Sequence, residues 1–343
     1  MPTSDTGIAP WTIAAASIAA AASIATLTAI RSRDSKKRKV LVNWAGASAN
    51  SVNPSANALL LIAGGVGPRA SIELHAKILK NTITAGDDQS HLDVLHVSCP
   101  ARVSDRTGFI CGGAGPNPGE QLADLVAEAV LATRANHPSR RIIIGVPCVT
   151  FHARMIFDAF EARLISSFES TGEGSKVVLI NLIDSICATF AADDDIKRVC
   201  VLGTHGTVKG GTLFASLAEH GLDPALPDTE TQALLHESIY NTSWGLKSKS
   251  RVTEKARTNL MQVLRNAVNR GKQIGQPIDA FLLACTELSF GVPVTFYDGV
   301  PIYDALNMLS RTMVAAVDPA KLEPLVEGVR DWRGLYASPQ PND

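Results

Sequence analysis

The chain has 343 residues, enough to bury a full core in one large or two medium domains. Its 32 Lys and Arg nearly balance 33 Asp and Glu, which excludes a broad nucleic-acid footprint and leaves specificity to a local site. The six cysteines form no C-x-x-C pair and none sits with histidine at zinc-ligand spacing, so they read as reduced thiols in a reducing compartment.

Residues 10–30 ("PWTIAAASIAAAASIATLTAI") carry no charge and are followed at once by "RSRDSKKRK". At about 1.5 Å rise per residue this run just spans a bilayer core of roughly 30 Å. A cleaved secretory signal has its basic residues before the apolar run, and here they come after it. The positive-inside rule then places everything downstream on the cytoplasmic side. Residues 1–39 are therefore expected to be a membrane anchor with its basic flank. A surface-lying helix is one alternative. The other is a cleaved targeting sequence, which would leave a cytoplasmic or organellar protein. Residues 40–57, rich in Ala, Ser and Asn, read as a linker.

From Ala58 onward, short apolar runs alternate with longer amphipathic ones. Strands are predicted over 58–64, 92–98, 141–146, 176–182, 197–203 and 279–285; their unbroken apolar character suits a parallel sheet covered on both faces. Helices are predicted over 68–82, 119–135, 151–166, 211–221 and 253–271. Pro68 stands at a first-turn position, and the last two helices end in Gly221 and Gly271, which suit left-handed caps. Alternation of this kind means an α/β fold with right-handed crossovers, whose ligands bind beyond the carboxyl ends of the strands.

Four strand ends carry the chemistry. The first gives "AGGVGPRAS", where backbone N–H groups around Gly65 can hold a carboxylate. It is neither G-x-G-x-x-G nor a G-K-[ST] loop, which argues against a nucleotide. The third gives "VPCVTFH" with Cys148, Thr150 and His152; the fifth "LGTHGTVKGGT" with Thr204 and His205; the sixth "ACTEL" with Cys285, Thr286 and Glu287. Each supplies a hydroxyl or thiol beside backbone donors, which suits a pocket for a small carboxylate. Two thiols at equivalent strand ends can act as general base and general acid, each in one protonation state. Racemisation needs that pair: one group removes an α-proton and the other returns a proton to the opposite face.

In "GGVGPRAS", "SCPARVSDRT", "PCVTFH", "LGTHGT", "ACTEL" and "VPIYDALNML", in this order from about Leu59 to Ala315, the chain resembles the pyridoxal-independent aspartate/glutamate racemase family. The resemblance implies that Cys148 and Cys285 are the catalytic acid/base pair. It implies that Thr150 and Thr286, with the Gly65 loop, line the carboxylate pocket. Arg106 in "SDRT" would meet an acidic side chain, and Lys247 in "IYNTSWGLKSK" would be a second cation. It further implies two similar α/β domains with mostly parallel sheets facing a cleft. The first would comprise residues 58–164 and 299–330 and the second 165–298, followed by a tail at 331–343. No cofactor or metal is expected; a homodimer is, with an acidic amino acid as the small-molecule substrate.

One position departs from the family pattern. The family reads Pro-Cys-Asn-Thr at the first cysteine, and here Val149 replaces the amide, which normally holds the substrate's polar groups. An isomerase or racemase acting on another small substrate, such as maleate or a hydantoin, therefore stays open, as does a catalytically silent ligand-binding relative. At the remaining positions a structural role stands beside the functional one. His152 orients its loop or stabilises a thiolate, Glu287 polarises a thiol or caps a helix, and His205 lines the pocket. Arg106 is a carboxylate partner or a solvated loop charge. Cys99, Cys111, Cys187 and Cys200 read as structural, and Asp304 as lying near the pocket.

Overall fold

The computed structural model describes residues 57–113, 115–169, 176–248 and 251–324. The expected anchor and its basic flank, the linker up to residue 56 and the tail at 331–343 lie outside them. Among the described residues no helix is long and apolar enough to cross a membrane.

The first half runs β1 (Ala58–Ala63), α1 (Pro68–Lys80), β2 (Val94–Val97), α2 (Arg106–Gly112), α3 (Pro118–Asn136), β3 (Arg141–Gly145), α4 (Arg154–Glu169), β4 (Val177–Ile180) and α5 (Leu182–Ala191). Its strands form one all-parallel sheet in the order β2-β1-β3-β4. Every residue of β1 is buried, as its unbroken "ALLLIA" requires of a strand with helices on both faces. The second half runs β5 (Arg198–Leu202), α6 (His205–Gly210), α7 (Thr212–Glu219), β6 (Asp223–Ala225), α8 (Thr229–Tyr240), α9 (Glu254–Gln273), β7 (Ala280–Leu283), α10 (Leu288–Gly291), β8 (Phe296–Tyr297), β9 (Val300–Asp304) and α11 (Ala305–Val317). Its sheet has the order β6-β5-β7-β9-β8, parallel except for the antiparallel β8–β9 pair.

All six predicted strands are present, each within a residue or two of its expected bounds. The chain changes sheet later than expected at both crossings. Residues 177–180 pair with β3, so the first sheet keeps the chain past Leu164 to Ile180. Residues 300–304 pair with β7, so the return falls after Asp304 rather than at Gly299. Three strands escaped prediction. β6 and β9 carry Pro224 and Pro301, which remove a ladder donor and argue against strand in a sequence. β8 has two residues, and the turn joining it to β9 is Asp298-Gly299, both at positive φ, the combination of a tight hairpin turn.

Gly221 has φ +76 just past α7, as a left-handed cap should. Gly271 is different: α9 runs on to Gln273, and the left-handed residue is Gly275. A Cβ on Gly271 would lie 2.9 Å from the Gln276 carbonyl oxygen, so this glycine gives room for the chain to fold back.

One apolar cluster joins the halves. It contains Leu60 and Ile143 of the first sheet, Val199 and Leu282 of the second, and Ile186, Leu306 and Met313 of α5 and α11. Beside it a buried ion pair crosses the same boundary. Lys77 Nζ of α1 lies 2.8 Å from Asp304 Oδ2 at the end of β9. Asp304 Oδ1 accepts from Ser289 Oγ at 2.6 Å and from the Leu306 N–H at 2.9 Å. Ser289 belongs to α10, the turn of helix that begins three residues after Cys285. Asp304 thus ties the α10 turn that follows Cys285 to α1 of the first half.

Candidate active site

The two cysteines occupy equivalent places. Cys148 follows β3 and Cys285 follows β7, strands that sit side by side with partners within their own sheets. Each starts a helical turn by accepting a hydrogen bond three residues on: Phe151 N–H to the Cys148 carbonyl at 3.1 Å, and Leu288 N–H to the Cys285 carbonyl at 2.9 Å. The thiols thus lie just beyond the carboxyl ends of their strands. Both thiols are nearly enclosed, with 8% and 5% of their surface exposed.

Both line one cleft, with Arg106, Thr107, Val149, Thr150, Thr204, Tyr240, Lys247, Ala284, Thr286 and Glu287. The structure brings together eight of the ten predicted site residues. Two stand behind. Gly65, at φ +84, takes a turn against Cys99, where a Cβ would approach the Cys99 nitrogen to 2.9 Å. His152 points back at its own turn: Nδ1 is 2.9 Å from the Cys148 carbonyl oxygen, which can only accept, and the ring stacks on Phe157 at 4.6 Å. His152 thus fixes the loop that presents Cys148.

Arg106 is no solvated charge. It is buried at the start of α2, where Asp105 caps the helix through the Gly108 N–H. Its Nη1 donates to the Ser104 carbonyl at 3.2 Å and Nη2 to the Val66 carbonyl. Burial pulls its pKa down, but Cys148, Asp105, Tyr240 and Glu287 outweigh this and leave it raised, so the guanidinium stays charged. This is a fixed positive group on the Cys148 side of the cleft.

On the other side Glu287 organises the wall. Although it stands at the N-cap of α10, its side chain caps nothing. Oε2 accepts from Cys285 Sγ at 3.1 Å and from Thr286 Oγ1 at 3.3 Å, while Oε1 takes Lys247 Nζ. A Cβ on Gly67 would come within 2.9 Å of the same Oε1, so the first glycine loop leaves room for this carboxylate. Burial pushes the Glu287 pKa up, and the Lys247 charge and its hydrogen bond bring it below the ordinary carboxylate value. Burial and the neighbouring Glu287 raise the Cys285 thiol well above its usual value. Lys247 is raised in turn, since Glu287 outweighs burial.

The third wall is built of hydroxyls. Thr150 Oγ1 lies 3.2 Å from Thr204 Oγ1 and 2.9 Å from Thr207 Oγ1, and Thr204 caps α6 through the Thr207 N–H. Tyr240 Oη donates to Thr107 Oγ1 at 3.0 Å, which links α8 of the second half to α2 of the first. Burial pushes the Tyr240 phenol up to about 12, so it remains a donor. Thr107 and Tyr240 were not predicted. Thr107 adjoins Arg106, but its direction depends on α2; Tyr240 ends α8, a helix with no counterpart among the predicted ones. His205 was expected in the pocket and is exposed instead, stacked on His236 at 3.8 Å, with His236 stacked on Tyr240 at 4.8 Å. Among the described residues no cluster of three metal-ligating side chains occurs. Cys187 and Cys200 are core residues, and burial raises Cys200 to about 12, an inert thiol. Cys99 is half-buried, and Cys111 is exposed rather than structural.

No protein-family model matches the sequence. Solved structures do match. Aspartate racemase from Picrophilus torridus aligns with 22% identity and a TM-score of 0.56, over 76% of this chain and 94% of that one. A putative Asp/Glu racemase from Yersinia pestis aligns with 17% identity and a TM-score of 0.53, over 76% and 99%. An aspartate racemase homologue from Pyrococcus horikoshii OT3 gives 16% identity and a TM-score of 0.52, over the same shares. At these identities the likeness is one of fold, and the fold is that of the racemases the sequence motifs resemble.

Proposed function

We propose that this chain is a racemase of a small amino acid, most simply an acidic one, that uses its own thiols for both proton transfers. The observation that carries the reading is the convergence of two buried cysteines, one from each sheet, on a single cleft. In this reading one thiolate takes the α-proton and the electron pair left on the α-carbon spreads into the carboxylate. Arg106 and the hydroxyl wall of Thr150 and Thr204 stabilise that charge. The other thiol then donates its proton to the opposite face. The residues 10–30 add a tether to the reading, which holds the cleft on the cytoplasmic side of a membrane.

The test is exchange in D₂O. The full-length protein, incubated with L-aspartate or L-glutamate, should incorporate deuterium at the α-carbon while the D-enantiomer accumulates, followed by NMR and chiral chromatography. Absence of both exchange and inversion with every acidic amino acid would remove the reading.

Val149 favours a second reading. It lines the cleft, and its isopropyl group accepts nothing from a substrate ammonium. A substrate without that ammonium, such as a cis-unsaturated dicarboxylate isomerised through thiolate addition, fits such a wall. Val149→Asn discriminates. If an ammonium contact is what the site lacks, the variant should gain about 10-fold or more in kcat/KM on acidic amino acids, the worth of one hydrogen bond to a charged group. A loss on aspartate together with turnover of maleate by the unaltered protein would favour the second reading.

A further inference from the structure

We propose that Glu287 is a positioning residue that holds the proton on Cys285, which leaves Cys148 as the base of the resting site. The placement of the proton stands on geometry; its consequence for turnover rests on the racemase reading above. A carboxylate only accepts, so the hydrogen in the 3.1 Å contact between Cys285 Sγ and Glu287 Oε2 belongs to sulfur. Lys247 on Oε1 keeps that carboxylate ionised in a buried place. Ionising Cys285 would set a second anion 3.1 Å from the first, where little solvent screens them.

The charged and titratable groups facing this pair come from every wall: Lys247 after α8, Tyr240 at its end, Arg106 from α2, and Cys148 across the cleft. Lys247 opposes the effect of Glu287, but its ammonium is already bonded to the carboxylate. Among the described residues no carboxylate is hydrogen-bonded to Cys148, which shares its side of the cleft with the Arg106 guanidinium. The two thiols are equivalent in backbone and opposite in electrostatic setting.

A turnover from the resting state then has one order. Cys148 thiolate takes the α-proton, the electron pair passes into the substrate carboxylate, and the Cys285 thiol gives its proton to the other face. Cys148 ends as a thiol and Cys285 as a thiolate against Glu287. The site resets when the proton on Cys148 returns to Cys285. The resting enzyme thus takes first the enantiomer whose α-hydrogen faces Cys148.

The test reads each thiol without turnover. Alkylation of the full chain by iodoacetamide is followed against pH, with each cysteine quantified by peptide mass spectrometry. At neutral pH Cys148 should react about tenfold faster than Cys285 or more, and Cys285, held protonated against Glu287, should react readily only at alkaline pH. Glu287→Gln should lower the Cys285 midpoint by about one unit or more without changing the rate at Cys148, and Glu287→Asp should restore most of the difference in rate. Equal rates at the two cysteines at neutral pH, or a Cys285 midpoint that ignores Glu287→Gln, would overturn the proposal. Should the Gln variant misfold by circular dichroism, the relative rates of the two cysteines in the unaltered protein still decide it. Absence of α-proton exchange would sink the racemase reading and leave the thiol titrations standing, so the two failures are distinguishable.

Discussion

Replacing Cys148 or Cys285 by alanine is expected to lower racemisation by about 10²–10⁴-fold, the usual contribution of a positioned acid or base. The two losses should differ in kind. With Cys285→Ala the site keeps Cys148 beside Arg106, so it can still remove an α-proton from one enantiomer and return deuterium to the same face. Exchange without inversion is the expected signature, visible by NMR in D₂O while chiral chromatography stays flat. With Cys148→Ala the remaining thiol is the one bonded to Glu287, and exchange at neutral pH should fall further. Both side chains are small, so the variants should keep the circular dichroism of the parent. Full racemisation by either variant would exclude a two-thiol mechanism.

The second large effect concerns stability. Lys77→Met should destabilise the fold by about 3–5 kcal/mol, because it leaves the buried Asp304 carboxylate without its cation. For a chain of this size that corresponds to a fall in Tm on the order of 10 °C. Removing both charges, as in Lys77→Met with Asp304→Leu, should recover much of the loss, since two desolvated charges cost nearly what their attraction returns. Activity should fall with Asp304→Leu even so, because Ser289 and the α10 turn after Cys285 lose their anchor. Equal melting temperatures for the parent and Lys77→Met would show that this pair contributes nothing across the boundary.

Strands such as "ALLLIA" and "RIIIG" were legible because burial on both faces leaves an unbroken apolar run. The ends of those strands were legible too, since thiols and hydroxyls that follow such a run stand out chemically. Less visible were features set by pairing between distant segments. β9 hides behind Pro301, and the sheet to which 177–180 belongs is settled by its register with β3. The ten predicted site residues divide in the same way. Six of those in the cleft come from positions where type and strand end suffice, and Arg106 and Lys247 from the family resemblance. Gly65 and His152 support the loops instead, because their directions depend on a φ of +84 and on a ring turned to its own carbonyl. Tyr240 reaches the cleft through a helix whose presence depends on packing against α9, and nothing local marks it. Glu287 was ambiguous between cap and thiol partner; only the arrival of Lys247 from forty residues upstream decides that.

The late return of the chain bears on how the protein is made. α11 packs against α1, β1, β3, β4 and α5, yet it follows all of the second sheet in sequence. A ribosome that has released β1 through β4 must therefore synthesise more than a hundred further residues before their cover exists. During that interval one apolar face of the nascent sheet stands open, at the usual pace of about 5–20 residues per second for several seconds or longer. A truncation just after Asp304 should yield an aggregating product rather than a smaller folded one.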